Sequence, residues 1–252
     1  MLNTVLVLGA HSGIGQALLE QALLQGAHAI GVSRQAKPLQ LSAAIAWYQL
    51  PQVCLTADRV TSVEMMQATE TALSELLPSL CLQFQPDLII SCQGLLQQGD
   101  VSVEKSLRQL DVQSAQQSWW VNYLLPALQL KILMPYLTKQ SCRMLVLSAK
   151  VGSISDNQLG GWYSYRAAKA AVNMLVKTTA IELQRNKSKS LLATVHPGTT
   201  ATVLSQPFVA NVPAHQLQSP DATARRLMAV AEGLSELQHG CLLHWDGSIL
   251  PF

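Results

Sequence analysis

Seven residues near the start of the chain constrain its fold most: Gly9-Ala10-His11-Ser12-Gly13-Ile14-Gly15. They follow an apolar run at 5–8 and open a helical pattern at 14–25. Glycine is needed where a backbone turns tightly or must approach a ligand closely. The helix that follows offers unpaired N–H groups and the positive end of its dipole, which suits a pyrophosphate. Three glycines alone say little, but here they stand in the strand–turn–helix context that a dinucleotide turn requires. The spacing is GxxxGxG, not GxGxxG. Gly9, Ser12, Gly13, Ile14 and Gly15 are therefore candidate cofactor contacts. His11 either helps to position phosphates or is a plain turn residue.

The rest of the chain repeats the alternation. Strands are expected at 5–8, 29–32, 53–56, 88–90, 144–147 and 192–195, with a possible last one at 242–245. Helices are expected at 14–25, 118–137, 163–184 and 222–234, and Pro126 either kinks the second or marks a restart. Residues 38–52 carry no clear pattern. Strands alternating with helices predict an α/β fold, a Rossmann-type doubly wound parallel sheet with helices on both faces. Its ligand is expected at the carboxyl ends of the strands. No repeat or linker divides residues 1–252, so a single domain is expected, with a substrate lid at about 199–219.

Composition narrows the partners. Hydrophobic residues make up 49% of the 252 and charged ones 13%, and the net charge is only +2. That balance predicts neither nucleic acid nor a membrane surface as a partner. No run of about 18 apolar residues predicts a membrane span, and the N-terminus reads as a first strand, not a signal peptide. The five cysteines, Cys54, Cys81, Cys92, Cys142 and Cys241, include no CxxC pair, which fits a reducing cytoplasm. The six histidines lack ligand spacing, so no metal site is expected.

The end of the second strand bears on the cofactor. A carboxylate there binds the 2′-hydroxyl of NAD, whereas an arginine accommodates the 2′-phosphate of NADP. Arg34 is present with Lys37 nearby, and no acid occurs between residues 21 and 57. NADP(H) is expected over NAD(H), although Arg34 also reads as a solvated loop charge.

Gly160-Gly161-Trp162-Tyr163-Ser164-Tyr165-Arg166-Ala167-Ala168-Lys169 carries the chemistry. Tyr165 and Lys169 stand four apart on a helix and share a face. A phenol titrating near ~10 is a poor proton donor or acceptor at neutral pH, and a neighbouring ammonium lowers that value. Such a pair can protonate a carbonyl oxygen or deprotonate an alcohol. Tyr163 has Ala167 where its lysine would be and reads as packing or a pocket wall.

On these residues the chain resembles the short-chain dehydrogenase/reductase family over essentially its full length, and more narrowly its C-factor and Sniffer-type carbonyl reductase branch. Gly9 to Gly15 is similar to the family's cofactor turn and Tyr165–Lys169 to its YxxxK motif. The resemblance implies that Asp58 contacts the adenine and that Asn122 holds a water linked to the lysine. It implies nicotinamide contacts from His196-Pro197-Gly198 and the following Thr200 and Thr202. Lys169 would also hold the nicotinamide ribose. Ser91-Cys92-Gln93-Gly94 stands where the family has Asn-Asn-Ala-Gly, with only the glycine kept; Gln93 and Gly94 are carried over as cofactor contacts. A homodimer or homotetramer is implied, with Trp119 and Trp120 on a helix that commonly packs on a partner. Phe208, in the lid, could line the pocket.

One position departs from the pattern. The family's catalytic serine, in Ser-x-x-Gly, falls on Ala149, three before Gly152. Ser148 is the expected substitute donor, with Ser153 in reserve. Lys150 reads as solvated, the alternative being an extra charge near the cofactor. The expected activity is hydride transfer between NADP(H) and a small carbonyl or alcohol. The alternative is a cofactor-binding sensor or signalling protein with weak or no catalysis. A serine hydroxyl within reach of Tyr165 Oη favours the enzyme, and an apolar wall there favours the sensor. A sugar-nucleotide epimerase is disfavoured, since the chain has little room for an extra substrate domain.

Overall fold

The computed structural model describes residues 2–51, 63–96, 103–206, 213 and 216–252. β1 (Thr4–Leu8) is buried along its whole length. It pairs in parallel with β2 (His28–Ser33) on one side and β4 (Leu88–Ser91) on the other. Beyond β2 lies β3 (Ala46–Gln49), and beyond β4 lie β5 (Arg143–Leu147) and β6 (Leu191–His196). Two further strands form a separate parallel pair, β7 (Thr199–Thr200) and β8 (Leu217–Gln218). The main sheet is completed by β9 (Leu242–His244), parallel to β6, and β10 (Ile249–Leu250), antiparallel to β9. Its order is β10-β9-β6-β5-β4-β1-β2-β3. The chain winds outward from β1 in one direction and then the other, so the switch lies between β1 and β4, where a doubly wound sheet binds its ligand.

Because strand side chains alternate faces, each strand contributes to two cores. Val5, Val7, Ile90, Leu145, Val195 and Leu243 pack on one face, against α1 (Gly13–Leu24) and α6 (Pro220–Glu232). Leu6, Leu8, Ile89, Met144, Val146 and Leu192 pack on the other, against α2 (Val63–Phe84), α4 (Leu125–Lys139) and α5 (Tyr163–Arg185). This is the expected α/β architecture.

Three details correct the expectation. The strand beside β2 is β3, which lies in the stretch that showed no pattern; 53–56 lies outside the described residues. α2 had no counterpart in the sequence reading, because Pro78 sits inside it. The helix expected at 118–137 is three segments: α3 (Val112–Trp119), a π-helical turn over Trp120–Leu124, and α4. The backbone stays right-handed helical across both junctions, and Pro126 comes just after the π-helical turn, so the proline goes with a bulge in one continuous helix, neither a sharp kink nor a restart. Pairing of β7 with β8 brings the two ends of the expected lid together. Among the described residues, no helix is long and apolar enough to cross a membrane.

Candidate active site

The glycine turn is built from hydrogen bonds across the sheet's edge. Gly9 and Ala10 N–H both donate to Val32 O, at 3.0 and 3.1 Å, and Gly9 takes a positive φ of 77°. Ser12 caps α1 by accepting from Gly15 N at 3.0 Å. A methyl group on Gly15 would lie 2.8 Å from Gly9 O, so only glycine lets helix and turn approach this closely. The N–H groups of Gly13 and Ile14 belong to the helix's first turn, which has no intrahelical acceptor for them. His11 is half-buried, and its carbonyl accepts from Gln16 Nε2 at 2.7 Å.

Arg34 is exposed just past the end of β2. Lys37 is turned away, donating to Ile45 O at 2.7 Å. Asp58 lies outside the described residues, as does Phe208. At the end of β4, the Gln93 side chain folds onto the turn, so that a Cβ on Gly9 would meet its Cγ at 3.2 Å. Ser91 Oγ lies 2.6 Å from the carboxamide of Gln93 and 2.8 Å from that of buried Gln129. Ser91, at a position where the resembling family has asparagine, and Gln93 thus tie β4 to the turn.

Asn122 lies in the π-helical turn and is fully buried. Its Oδ1 accepts from Leu95 N at 3.0 Å, and its Nδ2 donates to Leu95 O at 2.7 Å and to Ser118 O at 3.0 Å. The side chain therefore fixes the segment at Leu95, just after Gly94, and has little capacity left. Of the adjacent tryptophans, Trp120 is buried, while Trp119 is 40% exposed and packs on Tyr123.

Tyr165 and Lys169 stack on one face of α5, with Lys169 Nζ 5.7 Å from the centre of the phenol ring. Nζ donates to Leu147 O at 3.0 Å, which anchors the pair to the end of β5. Burial pushes the Lys169 ammonium down to about 8. Burial also pushes the Tyr165 phenol above its ordinary value. Burial sets the direction, opposite to the expected lowering by the ammonium: Tyr165 packs with Leu96 and Ala149. Tyr163, by contrast, is 40% exposed.

The hydroxyl of Ser148, the expected substitute donor, already has a partner: it is buried and donates to Asn173 Oδ1 at 2.7 Å. Asn173 lies four residues beyond Lys169 on the same face of α5, so the 165–169–173 spacing could have revealed it. Ser153 is also buried, accepting from Asp156 N at 3.2 Å. Lys150 is half-exposed and lies 3.5 Å from Asp156. Ala149, Leu96, Val151 and Leu204 form an apolar wall around Tyr165.

Pro197 and Gly198 follow β6 at the carboxyl edge of the sheet, where Gly198 takes a φ of 79°. Thr200 turns away from the cleft, its hydroxyl 2.8 Å from that of Thr223 on α6. Thr202 reaches the glycine turn instead: a Cβ on Gly13 would lie 2.9 Å from its methyl group. Glu104, which no sequence pattern marked, is buried beside Tyr165 and bonds Ser164. Among the described residues no cluster of potential metal ligands occurs.

Comparison with known proteins matches these features to one family. The model described as "short chain dehydrogenase" matches residues 3–212. A 1-hydroxy-2-glutathionyl-2-methyl-3-butene dehydrogenase of Rhodococcus sp. is 27% identical over 254 residues, covering all of both chains. The C-signal protein of Myxococcus xanthus is 28% identical over 58% of this chain and 84% of its own. Among solved structures, the carbonyl reductase Sniffer of D. melanogaster superposes with a TM-score of 0.79 at 16% identity over the whole of both chains. An NADPH-bound carbonyl reductase from chicken fatty liver gives 0.78 at 19% identity, over 99% of each.

Proposed function

Because the chain belongs to the short-chain dehydrogenase family, we propose that it is an NADP(H)-dependent oxidoreductase acting on a small carbonyl or the corresponding alcohol. The observation that carries the reading is the buried Tyr165–Lys169 pair, anchored at the carboxyl end of β5, the strand next to β4. The glycine turn fits a dinucleotide: Gly9 and Gly15 leave no room for side chains, and the first turn of α1 offers main-chain donors. Gly9, His11, Ser12, Gly13, Ile14 and Gly15 would hold the pyrophosphate, Arg34 the 2′-phosphate, and Asp58 the adenine. Gln93, Gly94, Pro197 and Gly198, with Thr202 and the main chain of Thr200, would frame the nicotinamide. The bound nicotinamide supplies or removes the hydride.

The chain's own residues manage the proton. Tyr165 carries the proton that reduction delivers to a carbonyl oxygen; burial keeps that proton on but also weakens the acid, so the phenolate needs a cation beside it. Lys169 stands over the ring to stabilise the phenolate that remains. The side chain of Asn122 is committed to Leu95 and Ser118, so a relay water would rest on its main-chain carbonyl. Pro126, without an N–H, leaves that carbonyl no donor four residues on.

The relative matched over its full length is named a dehydrogenase, and two solved neighbours are named carbonyl reductases. The sensor reading rests on the apolar wall beside Tyr165, and the comparisons do not favour it. Titration with NADPH and NADH, followed by turnover of a panel of carbonyl compounds, tests both. Tight NADPH binding with turnover that disappears in Tyr165→Phe, while binding persists, is the expected result. Binding without turnover on any carbonyl would leave the sensor, and no binding of either nucleotide would overturn both readings.

A further inference from the structure

The helix that carries Tyr165 has no cap of its own. Trp162, the residue before it, is left-handed, with φ 53° and ψ 44°, and makes no side-chain cap bond. An indole has no acceptor to offer, yet the first-turn N–H groups require one. The acceptor comes from far upstream. Glu104, only 3% exposed, takes the Ser164 N–H with both carboxylate oxygens at 3.3 Å and also accepts from the Ser164 hydroxyl. Its main-chain carbonyl accepts from Trp162 N. A Cβ on Gly161 would stand 3.3 Å from that same carbonyl, and Gly161 has φ 66°, so the turn needs glycine to meet the segment. A carboxylate at a helix N-terminus also meets the favourable end of the dipole.

The clasp lies against the chemistry. Glu104 lines a small cavity of about 10 Å³ together with Leu96, Ser114, Ser118, Ser164 and Tyr165. Ser118 in turn holds Asn122 through its carbonyl and hydroxyl. One buried carboxylate thus joins the segment before α3 to the residue adjoining Tyr165.

We propose that Glu104 is a positioning residue: it caps α5 in trans and fixes Tyr165 relative to Lys169 and the substrate. The kinetic consequence rests on the reading of Tyr165 as acid/base; the clasp itself does not. A small misplacement of a reacting group costs much in rate, whereas a lost cap is felt within one helical turn.

The test compares wild type, Glu104→Ala, Glu104→Gln and Ser164→Ala, each with NADPH bound. Hydrogen exchange by mass spectrometry follows the peptide covering 161–168, with an α6 peptide as reference. Glu104→Ala should exchange roughly tenfold faster there and not in α6. Ser164→Ala, which keeps the N–H bond, should change exchange less. With phenanthrenequinone as the carbonyl probe, Glu104→Ala should lower kcat roughly tenfold to a hundredfold, with KM and NADPH affinity unchanged. Glu104→Gln, which keeps an acceptor oxygen, should restore most of that loss. Unchanged exchange at 161–168, or acceleration spread equally over α6, overturns the clasp. Faster exchange with unchanged kcat overturns the positioning role. If wild type reduces no carbonyl, the acid/base reading fails and the positioning role with it, and the exchange data still decide the clasp.

Discussion

At the end of β5, the hydroxyl of Ser148 is spent on Asn173 and the methyl of Ala149 faces Tyr165. The two residues should therefore respond oppositely to mutation. Ser148→Ala strands a buried carboxamide oxygen and should cost about 1–3 kcal/mol in urea denaturation, while turnover stays unchanged. Ala149→Ser places a donor beside the phenol and should raise turnover roughly tenfold or more, measured by NADPH oxidation. Loss of turnover in the first variant with no gain in the second would restore Ser148 as the substrate donor. Lys169 supplies a separate check. Its ammonium titrates at about 8 in the folded protein because burial disfavours the charge. The unfolded chain therefore binds more protons from about pH 8 up to the ordinary lysine value, and this group's contribution to stability rises with pH across that window. Buried Cys81, Cys92 and Cys142 have raised values and act in the opposite sense at overlapping pH. The informative quantity is thus the difference between wild type and Lys169→Met. Denaturation at a series of pH values should show the wild-type stability gaining on the variant's from pH 8 upward; parallel curves would remove Lys169 as the source.

Elements whose purpose is written in consecutive residues could be read directly. The turn from β1 to α1 is one: Gly15 is glycine because Gly9 O and Ser12 Oγ lie where its Cβ would be, at 2.8 and 2.9 Å. Gly15→Ala should cost about 1–3 kcal/mol through overpacking and weaken NADPH binding, measured by cofactor fluorescence; unchanged affinity would detach the turn from the cofactor. α5 was readable for the same reason, since its apolar spacing and its Tyr165–Lys169 pair lie within one segment. β3 was not, because an edge strand with intermediate burial, Ala46-Trp47-Tyr48-Gln49, shows no clean alternation of apolar and polar residues. α2 was missed because Pro78 argues locally against a helix that packing through Leu73, Leu77 and Leu80 nonetheless sustains. The site divides similarly. Local spacing marks Tyr165, Lys169 and Gly9 to Gly15 as candidates, but the partners of Ser148, Thr200 and Ser164 are Asn173, Thr223 and Glu104. Those pairings arise from folding and leave no mark on neighbouring residues.

Across the whole molecule, the carboxyl edge of the sheet collects ionisable groups from distant parts of the chain. His196 ends β6 and stands in register with His244 at the end of β9, their rings 5.7 Å apart. His196 Nδ1 is buried without a hydrogen-bond partner. Burial, then repulsion from His244 and Lys150, pushes its titration down to about 4. The unfolded chain consequently binds more protons than the folded one between pH 4 and the ordinary histidine value near ~6.5. The stability this group contributes is complete above that value and is lost as pH falls toward 4, by at most about 3 kcal/mol. Asp246 is held down to about 2 by hydrogen bonds from Ser248, so its own loss begins only below the ordinary carboxylate value. The two windows are therefore separable. Urea denaturation between pH 7 and pH 4 should show wild type losing stability while His196→Phe, which keeps a ring but no titrating nitrogen, stays nearly level; below that range both should fall together. Parallel curves throughout would place the acid sensitivity elsewhere on the sheet's edge.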